Sequence, residues 1–238
     1  AAAENRGIGL ILGLEHDPNY WTEITAPGKV LRDYFLVRCA RNLRLQKELL
    51  DRYGDRPGWK GYYIPDEIDD LSWRDPERRK ILAMYFAILT GHLREVDPTR
   101  PVSVSAFFRS RTEPTLFTRV LRELTGPYFD KVLVQDGSGG GDPEPVFLPL
   151  YCRALRKAFP EGPTPRLSAV VEIFEQTSKP DEDFAARPAD PALVARQLEL
   201  AGEYFSEIYI FSFAAYLDPD RSPRSQTLYQ NLIPAPPH

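Results

Sequence analysis

The sequence predicts an α/β fold: a (β/α)8 TIM barrel, with only strands 3–8 and their helices expected in this chain, as a single domain over 1–238. Three observations predict it. Strand-like apolar runs alternate with helical patterns along the whole chain; no long linker interrupts the alternation; and nearly every strand-like run ends in a polar or acidic group.

The first strand is "IGLILGL" (8–14), a continuous apolar run bounded by glycine and too short for a helix, as expected of a strand buried in a parallel sheet. Residues 30–53 follow with apolar positions at helical spacing and stop at Gly54, a C-terminal cap signal. The same unit recurs as "KGYYIP" (60–65) with helix 76–95, "VSVSAFF" (102–108) with helix 114–124, and "KVLVQD" (131–136) with helix 145–159. "LSAVVEIF" (167–174) with helix 191–205 and "IYIFSF" (208–213) with a short helix near 224–232 complete the series. Prolines and glycines fall mostly between these elements.

A doubly wound open sheet is the competing architecture. No GxGxxG follows the first strand, and "GSGGG" (137–141) lacks the lysine and immediate helix of a phosphate loop, so it reads as a mobile loop. Polar groups instead gather at strand ends: Glu15, His16 and Asp17; Asp66 and Glu67; Arg109; Gln135 and Asp136; Glu172 and Glu175; Ser212 and Tyr216. Barrels build their sites this way. Six units leave a conventional barrel short by two, or about 60 residues at roughly 30 per unit, so the chain is expected to lack the first two.

A formal charge of −4 gives no basic footprint, so neither nucleic acid nor a membrane is expected as a partner, and oligomeric state is left open. No apolar run approaches membrane-spanning length, and the opening residues lack the pattern of a signal peptide. Cys39 and Cys152 read as small buried hydrophobes. His16, His92 and His238 are too scattered for a histidine zinc site, and no cofactor is expected.

The runs "ILGLEHDPNYW", "GWKGYYIPDEIDDLSW", "VSVSAFF", "VLVQDGSGGG" and "VVEIFE" together resemble the DUF4434 family, of the glycoside hydrolase TIM-barrel superfamily, over about Ile8 to Pro219. The family's Gly-Trp/Tyr-Tyr-x-x-Glu, Gln-Asp-Gly and Glu-x-Phe strand ends are matched by Gly61 to Glu67, Gln135 to Gly137 and Glu172 to Phe174. The resemblance implies a carbohydrate-active barrel, a glycan substrate and a periplasmic or secreted location; family members start with two further βα units.

Glycoside hydrolysis usually needs two carboxyl groups. If the first visible strand is barrel strand 3, Glu67 follows strand 4 and Glu172 ends strand 7. That layout resembles many retaining glycosidases and suggests Glu67 as acid/base and Glu172 as nucleophile. An acid inside "LSAVVEIF" is costly unless paired or functional, which makes Glu172 the sharper signal. Glu67 competes with Asp66, and with the reading that Asp66, Glu67, Asp69 and Asp70 form a solvated loop. Asp136 is the reserve catalytic residue, and it could instead cap the Gly137 turn. Substrate-binding roles are expected for Glu15, His16, Trp21, Asp66, Trp73, Arg109, Gln135 and Tyr216, with Trp21 and Trp73 as sugar platforms. Two rivals stand beside this reading: a divalent metal held by Glu67, Asp136 and Glu172, and a barrel that binds glycan without cleaving it.

Overall fold

The computed structural model describes residues 2–140, 148–160, 165–179 and 182–233. Six parallel strands form one sheet, in the order β1 (Leu10–Gly13), β2 (Trp59–Ile68), β3 (Val102–Phe107), β4 (Lys131–Gln135), β5 (Arg166–Glu172), then β8 (Ile208–Phe211). A two-stranded antiparallel hairpin, β6 (Phe174–Gln176) with β7 (Ala186–Pro188), rises from the end of β5. Helices α2 (Gly28–Tyr53), α3 (Pro76–Val96), α4 (Pro114–Thr125), α5 (Leu148–Ala158) and α6 (Pro191–Tyr204) run between the strands, and α7 (Pro223–Leu232) follows β8. A one-turn α1 (Tyr20–Glu23) follows β1. The curled sheet is a partial TIM barrel, and its units fall where the hydrophobic periodicity places them. The helix expected over 145–159 is described from Leu148 to Ala158; residues 145–147, Gly141 and His238 lie outside the described residues.

Four of the 23 prolines start helices. Asp75, Glu113, Asp190 and Ser222 each precede a proline at the first helical position. The Asp75 carboxylate accepts from Arg78 N–H at 2.9 Å, Asp190 from Ala192 N–H at 2.8 Å, and the Ser222 hydroxyl from Ser225 N–H at 3.0 Å. Such caps are worth about 1 kcal/mol each, and proline there gives up no hydrogen bond.

Alternation along the strands assigns each side chain to a layer. On β2, Tyr62 turns outward to the helices and donates to Asp97 at 3.0 Å, while Tyr63 turns into the barrel and donates to Ser105 on β3 at 2.9 Å. The outer face of β1–β4 packs on α2–α5 through residues such as Phe35, Ile64, Leu89, Val104 and Leu121, all fully buried. A second cluster joins β5 to α6 and α7 through Val171, Val194 and Leu228. Cys39 and Cys152 are buried free thiols.

Among the described residues β1 and β8 are the ends of the sheet and do not pair with each other. Apolar side chains on both are left partly bare: Ile11 is 38% exposed and Phe211 52%. Closed barrels have no such edges.

Candidate active site

The acidic run after β2 divides its carboxylates among different tasks. Pairing of β2 with β3 slips between Ile64 and Ile68, so that four residues of β2 answer two of β3. Within this bulge alternation still holds, and Asp66 and Glu67 face opposite ways. Asp66 is fully buried against the helices, ion-paired with Arg38 of α2 at 2.7 Å and accepting from the Tyr85 hydroxyl of α3 at 2.6 Å. Asp69 accepts from the N–H and hydroxyl of Ser72 at 2.9 and 3.0 Å. Asp70 reaches the loop after β3 and accepts from the N–H groups of Arg109 and Arg111 at 3.1 and 2.9 Å. Glu67 alone of the four faces the barrel interior.

There Glu67 accepts from the Gln135 side-chain amide of β4 at 2.5 Å, and its carbonyl takes the Tyr20 hydroxyl at 2.8 Å. Burial pushes its carboxyl above the usual range, while the Gln135 hydrogen bond and the charges of His16 and Arg109 pull it down. Glu172, at the end of β5, is 9% exposed and accepts from the Gly139 N–H at 2.8 Å. Burial first, then the Asp136 and Glu67 carboxylates, push Glu172 up to about 7, against the Gly139 and Gly140 N–H groups. Among the described residues, Glu67 and Glu172 are the two acids lining a cleft of about 260 Å³ at the C-terminal ends of the strands. Its walls are Trp21, Phe107, Phe174 and Phe184, with Arg109 and Gln135 between them.

Of the residues singled out from sequence, the cleft gathers Glu67, Glu172, Trp21, Arg109 and Gln135, and His16 stands exposed beside Glu67. Tyr216 lies behind the wall, stacked on Phe174 at 5.1 Å. Four others are placed elsewhere. Trp73 is 1% exposed against Phe35, so it offers no face to a sugar. Asp66 is consumed by Arg38. Glu15 is turned to Arg41 at 3.4 Å, and its carbonyl accepts from Arg38 at 2.7 Å.

Asp136 faces the helix layer, as its place one residue after the inward Gln135 requires. It accepts from the Ser138 hydroxyl at 2.9 Å, from Glu172 N–H at 3.2 Å and from Gln197 of α6 at 3.2 Å. Burial pushes it up to about 6. It caps the turn that carries Gly139, and so positions Glu172 from behind. Within Gly137 to Gly140 the Ser138 hydroxyl is hydrogen-bonded to Asp136 and the Gly139 N–H to Glu172. Gly139 is required for closeness, since a Cβ there would sit 2.6 Å from the Phe174 ring. With Asp136 turned away, Glu67, Asp136 and Glu172 do not converge, and no group of three or more His, Cys, Asp or Glu among the described residues could hold a metal ion.

Sequence reasoning missed Phe174, Phe184 and Gln176. Phe174 is legible as the inward partner two residues beyond Glu172; Phe184, in a polar stretch before β7, carries no signal. Glu175 pairs with Arg187 across the hairpin at 2.9 Å. A cavity of about 640 Å³ opens at the opposite end of β5, near Arg166 and Glu203.

The profile of a family described as "Domain of unknown function (DUF4434)" matches residues 1–227. The uncharacterized protein YbcH of Escherichia coli is 29% identical over 198 residues, which is 83% of this chain and 64% of that protein. The chain therefore spans less than two thirds of this curated relative. A candidate alpha-L-fucosidase from Bacteroides thetaiotaomicron superposes with a TM-score of 0.73 at 15% identity, over 95% of this chain and 67% of that one. An intracellular xylanase from Thermoanaerobacterium saccharolyticum gives a TM-score of 0.48 at 11% identity, over 78% and 57% of the two chains.

Proposed function

Because this chain belongs to the DUF4434 family and folds as a glycosidase-like partial TIM barrel, we propose that it cleaves glycosidic bonds in an oligo- or polysaccharide with Glu67 and Glu172 as the catalytic pair. One observation carries the reading: two carboxyl groups from separate strands share an aromatic-walled cleft that no third acid lines among the described residues. The volume lies just under the roughly 300–1,000 Å³ of common small-molecule sites, which suits a single sugar ring. Trp21 is 40% exposed and stands edge-on to Phe107 at 5.5 Å, leaving an aromatic face for the sugar's C–H groups.

Two raised carboxyls in one cleft keep one proton between them, as hydrolysis needs: an acid for the leaving oxygen and a carboxylate for the anomeric carbon. The strand layout gives the proton to Glu67 and the attack to Glu172, in a retaining mechanism. The value of about 7 favours the reverse at rest, with the proton on Glu172. Either way the pair titrates as a unit. Activity is expected to peak at mildly acidic pH and to fall above about 7 as the last proton leaves. The measurement is kcat/KM against pH on p-nitrophenyl glycosides, including the α-L-fucoside. No hydrolysis of any glycoside would leave the rival reading, glycan binding without cleavage; activity still rising above pH 8 would remove the pair.

We further propose that two more βα units complete the barrel between β8 and β1. Support comes from the two unpaired edges and from the greater length of the relatives. A crystal structure of the longer polypeptide with anything but two parallel strands in that gap would refute it.

A further inference from the structure

The cleft carries one guanidinium that no described residue hydrogen-bonds or ion-pairs, although it contacts the Phe107 ring and its charge reaches Glu67 and Asp69. Arg109 lines it, exposed, with its guanidinium carbon 5.3 Å from the Phe107 ring centroid. Its side chain makes no hydrogen bond or ion pair with any described residue. Other arginines differ: Arg38 is bound to Asp66, Arg74 to Thr112, Arg79 to Glu123 and Arg100 to Asp97.

The backbone that presents Arg109 is nevertheless firmly built. The Asp70 carboxylate takes the N–H groups on both sides of Ser110, whose φ of 54° is left-handed. Arg74 donates to the Thr112 hydroxyl at 2.8 Å and to the Arg111 carbonyl, and the Tyr151 hydroxyl donates to the Thr112 carbonyl. A loop tied this way has already lost its freedom, so a ligand meeting Arg109 bears little ordering cost. Phe107 backs one face of the guanidinium and leaves the planar fork of donors to the cleft.

We infer that Arg109 anchors a carboxylate on the sugar, so that the substrate class is a glycan containing uronic acid. The inference rests on the carbohydrate reading of the cleft. A guanidinium fork matches a carboxylate with two parallel hydrogen bonds, a geometry that a neutral hydroxyl cannot use fully. An acidic sugar entering beside Glu67 and Glu172 would be repelled unless a cation met it, and Arg109 is placed to do so.

The test is calorimetric binding to Glu172→Gln protein, using p-nitrophenyl glucuronide and galacturonide, their neutral parents, and the 6-sulfated parents. The uronides are expected to bind at least about 10-fold tighter than the neutral parents. Arg109→Gln should cost the uronides about 10- to 100-fold more than it costs the neutral sugars, with Arg109→Lys recovering part. Equal binding of acid and neutral forms, a preference for the sulfated forms, or a preference that survives Arg109→Gln would overturn the assignment. So would an Arg109→Gln variant that shifts the pH dependence of hydrolysis alike for both substrates and costs the uronides no more than the neutral sugars, which is what tuning of Glu67 alone predicts. Neutral sugars binding while uronides fail would sink the inference and spare the glycan reading; no binding by either would sink both.

Discussion

Replacing Glu172 or Glu67 by glutamine is expected to lower glycoside cleavage by about 10²- to 10⁴-fold, the range for loss of a positioned acid or base. A glutamine oxygen can still accept from Gly139 N–H, so Glu172→Gln should fold. Its stability has a sign of its own. The folded value of about 7 lies above the ordinary 4.5, so the native state holds the proton more tightly than the unfolded chain. That contribution is complete below about 4.5 and is lost as pH rises through 7. Glu172→Gln should therefore melt higher than the parent at pH 8, with the gap closing toward pH 5. Azide separates the roles: the alanine variant of the nucleophile should yield a glycosyl azide of inverted configuration, that of the acid/base one of retained configuration. Activity within threefold of the parent in either glutamine variant would discard the pair.

Arg38→Met should cost about 3–5 kcal/mol of stability, because it strands Asp66 in the helix layer with only the Tyr85 hydroxyl. That is a large part of the roughly 5–15 kcal/mol a domain possesses. The double variant Arg38→Met/Asp66→Leu should recover much of it, since an apolar pair asks nothing of its surroundings. Urea unfolding of both variants gives the numbers. A loss below 1 kcal/mol for the single change would show that Asp66 is not held as an ion.

The sequence discloses the strand and helix units because the period of two and the period of 3.6 are both strong here, and because Asp-Pro and Ser-Pro pairs start helices in a regular way. It also points to the cleft, since Glu67, Gln135 and Glu172 each end a strand on its inward phase. Asp136 shows where reading strand ends as a class fails: the neighbour of an inward Gln135 must face outward. Trp73 sits among acids and looks like a surface residue, yet the chain after the β2 bulge turns under α2 and buries it, a tertiary fact with no local signal. Arg38 was discoverable. It falls on the stripe of α2 that buries Leu31, Phe35, Asn42 and Gln46, and an arginine there needs a buried acid to answer it.

The bulge between Ile64 and Ile68 has a genetic consequence. Substitutions in this segment change one layer at a time: Asp66 the helices, Glu67 the cleft, Asp70 the next loop. A single-codon insertion or deletion would instead exchange the faces of Asp66 and Glu67 in one step, sending Glu67 to Arg38 and Asp66 to the cleft. Length change within this segment is thus expected to be rejected, and the segment is left to evolve by replacement.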